Sequence, residues 1–523
     1  MSSSFRAGAA SLPIVPPLGL PMIGFFRQPS GGTGYGWPLE VTALALDDGT
    51  TRTVLCGVDA AVITAPEIDV LRARIAAATG TALPGVLVNT QHTHLSPIAC
   101  AGNRHLVGDL DADTERQAAT YIAGLADKIV SVCRLAVERL EPASVAWALA
   151  EVDEAVNRRE RTSDGRTVLG WNPGNLVDRQ LGAMQARRPD GSAICTLVTY
   201  GCHPVTTGYD MTIYSSDYPG PLRDLVRQVS GGDCVFFQAS AGNVVPKVSF
   251  TNDEREAERL GRRLALEALR ALAGRSAVRR EVVTKPEASM VPIIAYRVRE
   301  LPGPPPALAV AERRVAIDFS EVAPLEQVVA QRAEYEAALA AARASGNVGA
   351  VRIAMVGAHW ARMTEEAIRD GAIETRVELP MNAVRIGEGL LVTVPGETFS
   401  EIGMAVKERS PATPTIFCGY TNGMVGYIPT ADEYRFGGHE PVLGNRAAGT
   451  PAVVAPSTDA VLVRAAVRLA EGLFPGGEPW PEERGWLASG VLPALAPDEL
   501  RHPGTPGTPG VAGDRLMQTA PGR

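Results

Sequence analysis

Short apolar runs alternate with helical patterns along the whole chain. Residues 40–64 hold two β-rich runs around the turn signal Asp-Asp-Gly, which predicts a hairpin. Residues 66–79 begin with proline, carry acids in the first turn and space their apolar positions at helical intervals until Gly80, which predicts a helix. The apolar run GVLVNT then predicts a buried strand, after which two histidines follow in NTQHTHLSP.

The same alternation of apolar runs and helical patterns continues toward the C-terminus. Buried strands are predicted in AICTLVTYGCHP and DCVFFQASAGN, and AVRIGEGLLVTVPGE reads as two strands around a turn, the second ending at Glu397. Helices are predicted at residues 253–273, at 326–344 and 358–370 as a packing insertion, and at 456–473. The expected fold is α/β, with a mixed β-sheet core flanked by helices.

The predicted domain organisation is one large domain and a tail. The domain is expected over residues 1–474, followed by a Pro/Gly-rich segment, 475–523, whose composition predicts disorder. No internal repeat is evident in the residues themselves.

Composition narrows the class of protein. With 45% hydrophobic and 21% charged residues the chain reads as globular, and its net charge of −8 gives no basic footprint for nucleic acid or an anionic membrane. Its seven cysteines are scattered without a CxxC pair, which favours buried thiols of a reducing compartment. The N-terminal apolar stretch is broken by prolines and no run reaches about 18 apolar residues, so we expect a cytoplasmic protein without a transmembrane segment.

Side chains that could bind a metal ion or contact a substrate lie at the ends of the predicted strands. A set of histidine and carboxylate ligands with one open position is how catalytic zinc is commonly held. His92 and His94 are two apart and would face one side of a continuing strand. Both could bind one ion, one could bind metal while the other contacts substrate, or the pair could be a hydrogen-bonded turn. The strand-end candidates are His92, His94, His203, Glu397 and the Tyr420/Tyr427 loop.

Seven segments in order resemble the neutral/alkaline (non-lysosomal) ceramidase family, in its zinc-bearing catalytic domain and without its C-terminal immunoglobulin-like domain. NTQHTHLSP resembles the family's THTHSGP, and GCHPVTT resembles its HPTS. VPGETFSEIG resembles VPGEFTTMAG. The remaining matches are VNRRE, SSDYPG, QASAGNVVP and YTNGMVGYIPTADEY, and together the segments span roughly residues 15–473.

The resemblance implies roles for individual residues. It implies a Zn²⁺ ion held by His92, His203, Glu397 and Tyr427. His94 and Arg158 would face the substrate amide and steady the developing oxyanion. The implied reaction is hydrolysis of an N-acyl amide bond by metal-activated water, and either His94 or Tyr427 would carry the proton to the leaving amine.

The chain departs from the family pattern where substrate is concerned. Val245 stands at the position of a family serine and Asn243 at that of an aspartate. The loop after the EEY motif is shorter, so a family tyrosine contact is lost or replaced by Tyr434 or Phe436. We therefore expect a small-molecule or lipid-like acyl amide other than ceramide. An ester or lactone hydrolase, or a non-catalytic binding protein with a degenerate site, are the alternatives; oligomeric state stays open.

Three further residues have two interpretations each. Asp59 is either an acceptor that orients a ligand histidine or a turn residue. Asp217 in SSDYPG has the same two readings, with the motif favouring the first. Cys202 precedes His203, but adjacent strand residues face opposite sides, which argues against a Cys-His nucleophile.

Overall fold

The computed structural model describes residues 5–25, 31–275, 279–287, 293–301 and 305–475. Within these ranges the chain forms a mixed α/β fold, as predicted, built mainly of three mixed sheets with helices against them. In the described part of the chain no helix is both long and apolar enough to cross a bilayer. The predicted tail lies outside the described residues except for its first residue.

The first unit of the fold, residues 6–142, is a five-stranded sheet in the order β5-β4-β3-β1-β6 with two helices. Strands β4 and β5 run parallel and the other pairs are antiparallel. The predicted hairpin and helix are both confirmed, and the helix ends at Gly80, whose φ of 64° suits glycine. The elements are β1 (Arg6–Pro13), β2 (Gly34–Tyr35), β3 (Glu40–Asp47), β4 (Arg52–Val58), α1 (Ala65–Thr79), β5 (Val86–Thr90), α2 (Ala112–Glu138) and β6 (Glu141–Pro142).

The second unit, residues 144–273, contains a sheet in the order β13-β11-β10-β7, with β11 and β13 parallel. A smaller sheet, β14-β8-β9, lies beside it. The elements are β7 (Ser144–Glu151), β8 (Ala155–Arg161), β9 (Thr167–Asn172), β10 (Gln180–Arg187), β11 (Ala193–Tyr200), β12 (Ile213–Tyr214), α3 (Pro219–Ser230), β13 (Asp233–Gln238), β14 (Val244–Pro246) and α4 (Glu254–Ala273).

The third unit, residues 308–473, follows a separate hairpin of β15 (Arg279–Glu287) and β16 (Ile293–Leu301). Its sheet has the order β17-β18-β19-β21, with β19 and β21 parallel. The elements are β17 (Leu308–Asp318), α5 (Leu325–Ser345), α6 (Val348–Arg369), β18 (Arg376–Ile386), β19 (Gly389–Thr393), β20 (Glu397–Thr398), α7 (Ser400–Arg409), β21 (Thr415–Cys418), β22 (Tyr427–Ile428), α8 (Gly444–Ala448) and α9 (Thr458–Leu473). The predicted helical pair is α5 and α6, although α6 begins at Val348 rather than at residue 358.

The three units repeat one topology. Each contains three antiparallel strands, a helix, a fourth strand parallel to the third, and a second helix, with other elements inserted between them. In chain order these are β1, β3, β4, α1, β5 and α2; β7, β10, β11, α3, β13 and α4; and β17, β18, β19, α7, β21 and α9. The expectation of no internal repeat is therefore wrong at the level of topology. It failed because these buried strands require only apolar side chains, which many different sequences supply.

The three sheets pack their inner faces around one core. Leu44, Leu197 and Leu391 come from different units and belong to the same buried cluster. Each outer face is covered by two helices of its unit, α1 and α2, α3 and α4, or α7 and α9, so both faces of the sheets are apolar. Burial on both sides explains the continuous apolar runs in the sequence.

Salt bridges join the units. In each unit, a basic side chain on the helix between the third and fourth strands pairs with an acidic side chain of another unit. These contacts join unit one to three, two to one, and three to two. The pairs are Arg72 with Glu312, Arg223 with Asp59, and Lys407 with Asp178. Together with the shared core they set the carboxyl ends of the parallel strands side by side.

Candidate metal centre

The candidate site lies where the strand ends of the three units converge. His92 follows β5 of the first unit, His203 follows β11 of the second, and Glu397 follows β19 of the third. The carboxyl ends of parallel strands are where open α/β sheets bind ligands. Three residues separated by up to about three hundred positions thus meet where the third or fourth strands of the three units end.

His92 is presented by a loop rather than by a strand. Strand β5 ends at Thr90, and His92 has a φ of 70°, in the left-handed region. Its backbone N–H donates to Ala60 O at 3.0 Å and its Nδ1 lies 2.7 Å from Ala61 O. The idea that His92 and His94 lie on a continuing strand is therefore wrong. Such backbone strain is typically found at functional sites, where surrounding bonds hold it.

His203 is held in the same way from another unit. Its Nδ1 lies 2.6 Å from Ala241 O, so Nδ1 carries the proton and donates to the carbonyl. Its Nε2 lies 3.2 Å from Glu397 Oε2, and the Nε2 of His92 lies 3.3 Å from the same oxygen. Burial, followed by the charge of Arg158, lowers the pKa of His203 to about 4.

These contacts fit a bound cation. A neutral imidazole with its proton on Nδ1 turns a lone pair toward whatever Nε2 faces. In His203 that lone pair faces a carboxylate oxygen 3.2 Å away and Arg158 Nη1 3.4 Å away, and a shared metal cation would relieve the repulsion between the two acceptors. A proton is disfavoured at neutral pH by the low pKa of His203. Two imidazoles and one carboxylate are ligands that zinc accepts.

His94 completes the cluster without any hydrogen bond of its own. Both of its ring nitrogens are buried and have no hydrogen-bond partner. Its ring centroid lies 4.9 Å from that of His92, and one nitrogen from each of His92, His94 and His203 lies within 4.8 Å of the others. Burial, with His92 next, holds the pKa of His94 well below its usual range. Orphaned buried nitrogens call for a partner that the chain does not supply.

The two tyrosines of the Gly-rich loop both lie at the site. Tyr427 pairs with Glu397 in the short ladder of β20 and β22, and the Arg158 guanidinium lies 5.5 Å from the centre of its ring. Tyr420 donates its hydroxyl to Glu397 Oε2 at 3.4 Å and also has a left-handed φ, 54°. Burial, followed by the charge of Glu397, raises the pKa of both phenols.

Arg158 reaches the cluster from β8 and is almost fully buried. Its Nη1 lies 3.4 Å from His203 Nε2, and its Nε donates to Glu440 Oε1 at 2.9 Å. The structure therefore brings Arg158 beside His203 and Tyr427. Glu440 is a partner that the sequence did not reveal.

Asn243 has a structural role that its sequence position did not suggest. Its Oδ1 accepts from the backbone N–H of Ser400 at 2.9 Å, at the start of α7, and its Nδ2 donates to Glu401 Oε2 at 2.9 Å. Burial raises the pKa of Glu401 to about 7, partly opposed by the Asn243 bond and by Arg159, while Glu433 adds to the rise.

The raised pKa of Glu401 predicts a pH-dependent stability. Its pKa is about 7 when folded and ~4.3 when unfolded. This difference makes a contribution to stability that is fully present below pH ~4.3 and is lost as pH rises through 7. Glu401→Gln should remove on the order of 2 kcal/mol of the drop in unfolding free energy between pH 5 and pH 8. Denaturant titrations at both pH values measure it, with the exposed Glu408→Gln as control; an unchanged drop would contradict the assignment.

Val245 belongs to a small apolar cluster. It is buried with Val156 and Val205, and Phe25 and Phe250 pack against the three valines. A hydroxyl at this position would lose water without gaining an evident partner.

Val245→Ser should therefore lower stability and add no activity. The expected loss in unfolding free energy is about 2 kcal/mol, from the buried hydroxyl and the lost methyl contacts. Val248→Ser is the matched control because Val248 is 41% exposed. Thermal or denaturant unfolding measures the loss, and a faster hydrolysis in Val245→Ser would show that the position takes part in chemistry.

The remaining candidates have structural partners. Asp59 accepts from the guanidinium of Arg223, not from a histidine. Asp217 accepts from Thr206 and Thr207, so it fixes the loop that follows His203. Burial raises the pKa of the Cys202 thiol well above its usual value, which makes it a poor nucleophile.

Comparison with known proteins supports the fold. No model of a protein family matches the chain, and no curated protein sequence does. The structure is similar to that of the neutral ceramidase from Pseudomonas aeruginosa, with a TM-score of 0.60 and 17% sequence identity over 95% of this chain and 76% of that chain. A structure of a ceramidase complexed with C2 gives the same score and identity over 95% and 78% of the two chains. The chain therefore has a neutral ceramidase-like fold.

Proposed function

We propose that this protein is a zinc-dependent hydrolase that cleaves an amide (N-acyl) bond of a small or acylated substrate other than ceramide. One observation carries the proposal. Two imidazole Nε2 atoms from different units lie 3.2 Å and 3.3 Å from one carboxylate oxygen in a buried site. This arrangement suits a divalent cation, and the ceramidase-like fold is consistent with amide hydrolysis.

His92, His203, Glu397 and Tyr427 are the proposed zinc ligands. Bound zinc would supply an activated water and polarise a carbonyl group. Imidazole nitrogens favour zinc over magnesium or calcium, which prefer oxygen. The carbonyls of Ala61 and Ala241 hold the first two imidazoles with Nε2 toward Glu397.

His94 and Arg158 are the proposed substrate-facing residues. Arg158 keeps its charge at all working pH values and can donate to a carbonyl oxygen on which negative charge develops. His94 is neutral and has both nitrogens free of protein partners, so it can donate one N–H to the substrate. Either His94 or Tyr427 passes the proton to the leaving amine.

An apolar wall beside His94 supports an acyl substrate. The Phe25 ring lies 4.8 Å from the His94 ring, and the Phe250 and Tyr209 rings lie 6.2 Å and 6.3 Å from Phe25. Packing against these rings would remove the aliphatic carbons of an acyl group from water, which is favourable. Val245, in place of the family's serine, adds to the same cluster.

Metal analysis combined with a substrate screen tests the proposal. The purified protein is assayed for zinc content and then for release of amine from N-acyl compounds, with esters and lactones in parallel, before and after chelation. One zinc per chain with chelator-sensitive amine release is the expected result. Hydrolysis of esters alone would move the assignment to an esterase, and zinc without any turnover would favour a binding protein.

A further inference from the structure

The segment that follows the Tyr427 loop covers the strand that carries Arg158. It begins with a 3₁₀ turn, Ala431–Phe436, and continues through Gly437 and Gly438 into a turn at His439–Leu443. Both glycines have positive φ, 57° and 94°. The conformation directs two acidic residues, Glu433 and Glu440, toward β8. We call residues 431–443 the covering segment.

Glu440 of the covering segment is shared between two buried arginines. Its Oε1 accepts from Arg158 Nε at 2.9 Å, and its Oε2 accepts from Arg159 Nη1. All three side chains are at most 4% exposed. A carboxylate buried between two guanidinium groups is strongly held, because removing the carboxylate would leave buried positive charge without compensation.

Both arginines reach the same carboxylate although they are neighbours on β8. Neighbouring residues on a regular strand face opposite sides, so Arg158 and Arg159 would ordinarily diverge. The pairing of β8 with β9 shifts register between Asn157 and Arg159. The extra residue lies on β9, opposite Arg158; bulges increase the local twist of a strand pair and are frequent next to active sites.

The second acid of the covering segment does not touch Arg158. Glu433 accepts from Arg159 and from Arg161, and Arg159 also donates to Gly437 O. Glu433 therefore attaches the same segment to the same strand without contact to the metal cluster. This gives a matched control for Glu440 within one structural element.

We propose that Glu440 is a positioning residue that fixes the Arg158 guanidinium against the metal cluster, so that the site is complete only when the covering segment is packed on β8. The inference rests on the proposed function, since it assumes that Arg158 faces the acyl oxygen. Arg158 has several rotatable bonds, and its Nε bond to Glu440 leaves the Nη1 edge directed to His203. Without this bond the guanidinium could turn away from the site.

Binding of octanoate, a carboxylate of the product class, to the zinc-loaded protein tests the role apart from turnover. Isothermal calorimetry should show about tenfold weaker binding in Glu440→Gln than in wild type, because a neutral amide orients the guanidinium less firmly. Arg158→Met should bind at least as weakly, and adding Glu440→Gln to it should cause no further loss. Glu433→Gln should bind octanoate as wild type does, even if its melting temperature falls as much.

The outcomes separate the two proposals. Equal octanoate affinity of Glu440→Gln and wild type would overturn the positioning role, as would an additive loss in the double variant. Absence of octanoate binding by the zinc-loaded wild type would overturn the inference as well. Octanoate binding that follows the expected pattern, in a protein that hydrolyses no N-acyl compound, would overturn the proposed function and leave the positioning of Arg158 standing.

Discussion

Replacing His92 is expected to remove zinc from the protein. Loss of a partner that only supports a metal ligand costs about 10- to 100-fold in affinity, so loss of the ligand itself should exceed ~100-fold. The remaining candidates, His203, Glu397 and Tyr427, would hold the ion with one ligand too few for a tetrahedral site. Dialysis against a zinc buffer of fixed free concentration, followed by elemental analysis, measures the change in affinity.

The backbone at His92 calls for a particular choice of variants. His92→Ala places alanine at a φ of 70°, where a side chain other than asparagine or glycine is strained. His92→Asn tolerates this conformation and still lacks the imidazole, so it separates metal loss from strain. His105→Ala is the control, because His105 contacts Gly102 O and Ala447 O outside the cluster. Full zinc occupancy in both His92 variants would refute the metal centre.

Arg158→Met should lower kcat/KM about 10²- to 10³-fold, or ~3 kcal/mol, while zinc stays bound. The reason is electrostatic, since a buried cation beside the cluster stabilises negative charge on the acyl oxygen more than water would. Arg158→Lys should recover little of the loss, because an ammonium group cannot keep the Glu440 bond and the site-facing edge together.

Steady-state kinetics and zinc content on the same preparations test this prediction. Arg161→Met is the matched control, since Arg161 lies on the same strand, pairs with Glu433 and does not contact the cluster. A loss of zinc in parallel with activity would mean that Arg158 supports the metal site rather than the substrate. Unchanged kinetics with zinc retained would remove Arg158 from the reaction.

Local sequence patterns were enough to predict many of the strands and helices and to single out the candidate site residues. Apolar runs bounded by turn signals predicted the strands, and helical spacing between proline and glycine predicted α1. Motif order pointed to His92, His203 and Glu397, whose side chains do meet. These features could be predicted because they depend on neighbouring residues and on short motifs.

The assembly of the site depends on tertiary packing. The threefold repetition of one topology brings strand ends of distant segments together, and it leaves no trace in the residues because many apolar sequences satisfy the same burial. Asn243 became a helix cap for α7, and Val245 a member of an apolar cluster, through contacts with segments far along the chain. Glu440 meets Arg158 across 282 positions, in a segment turned by two glycines with positive φ. Such pairings depend on where folded segments cross in space, which local sequence patterns do not encode.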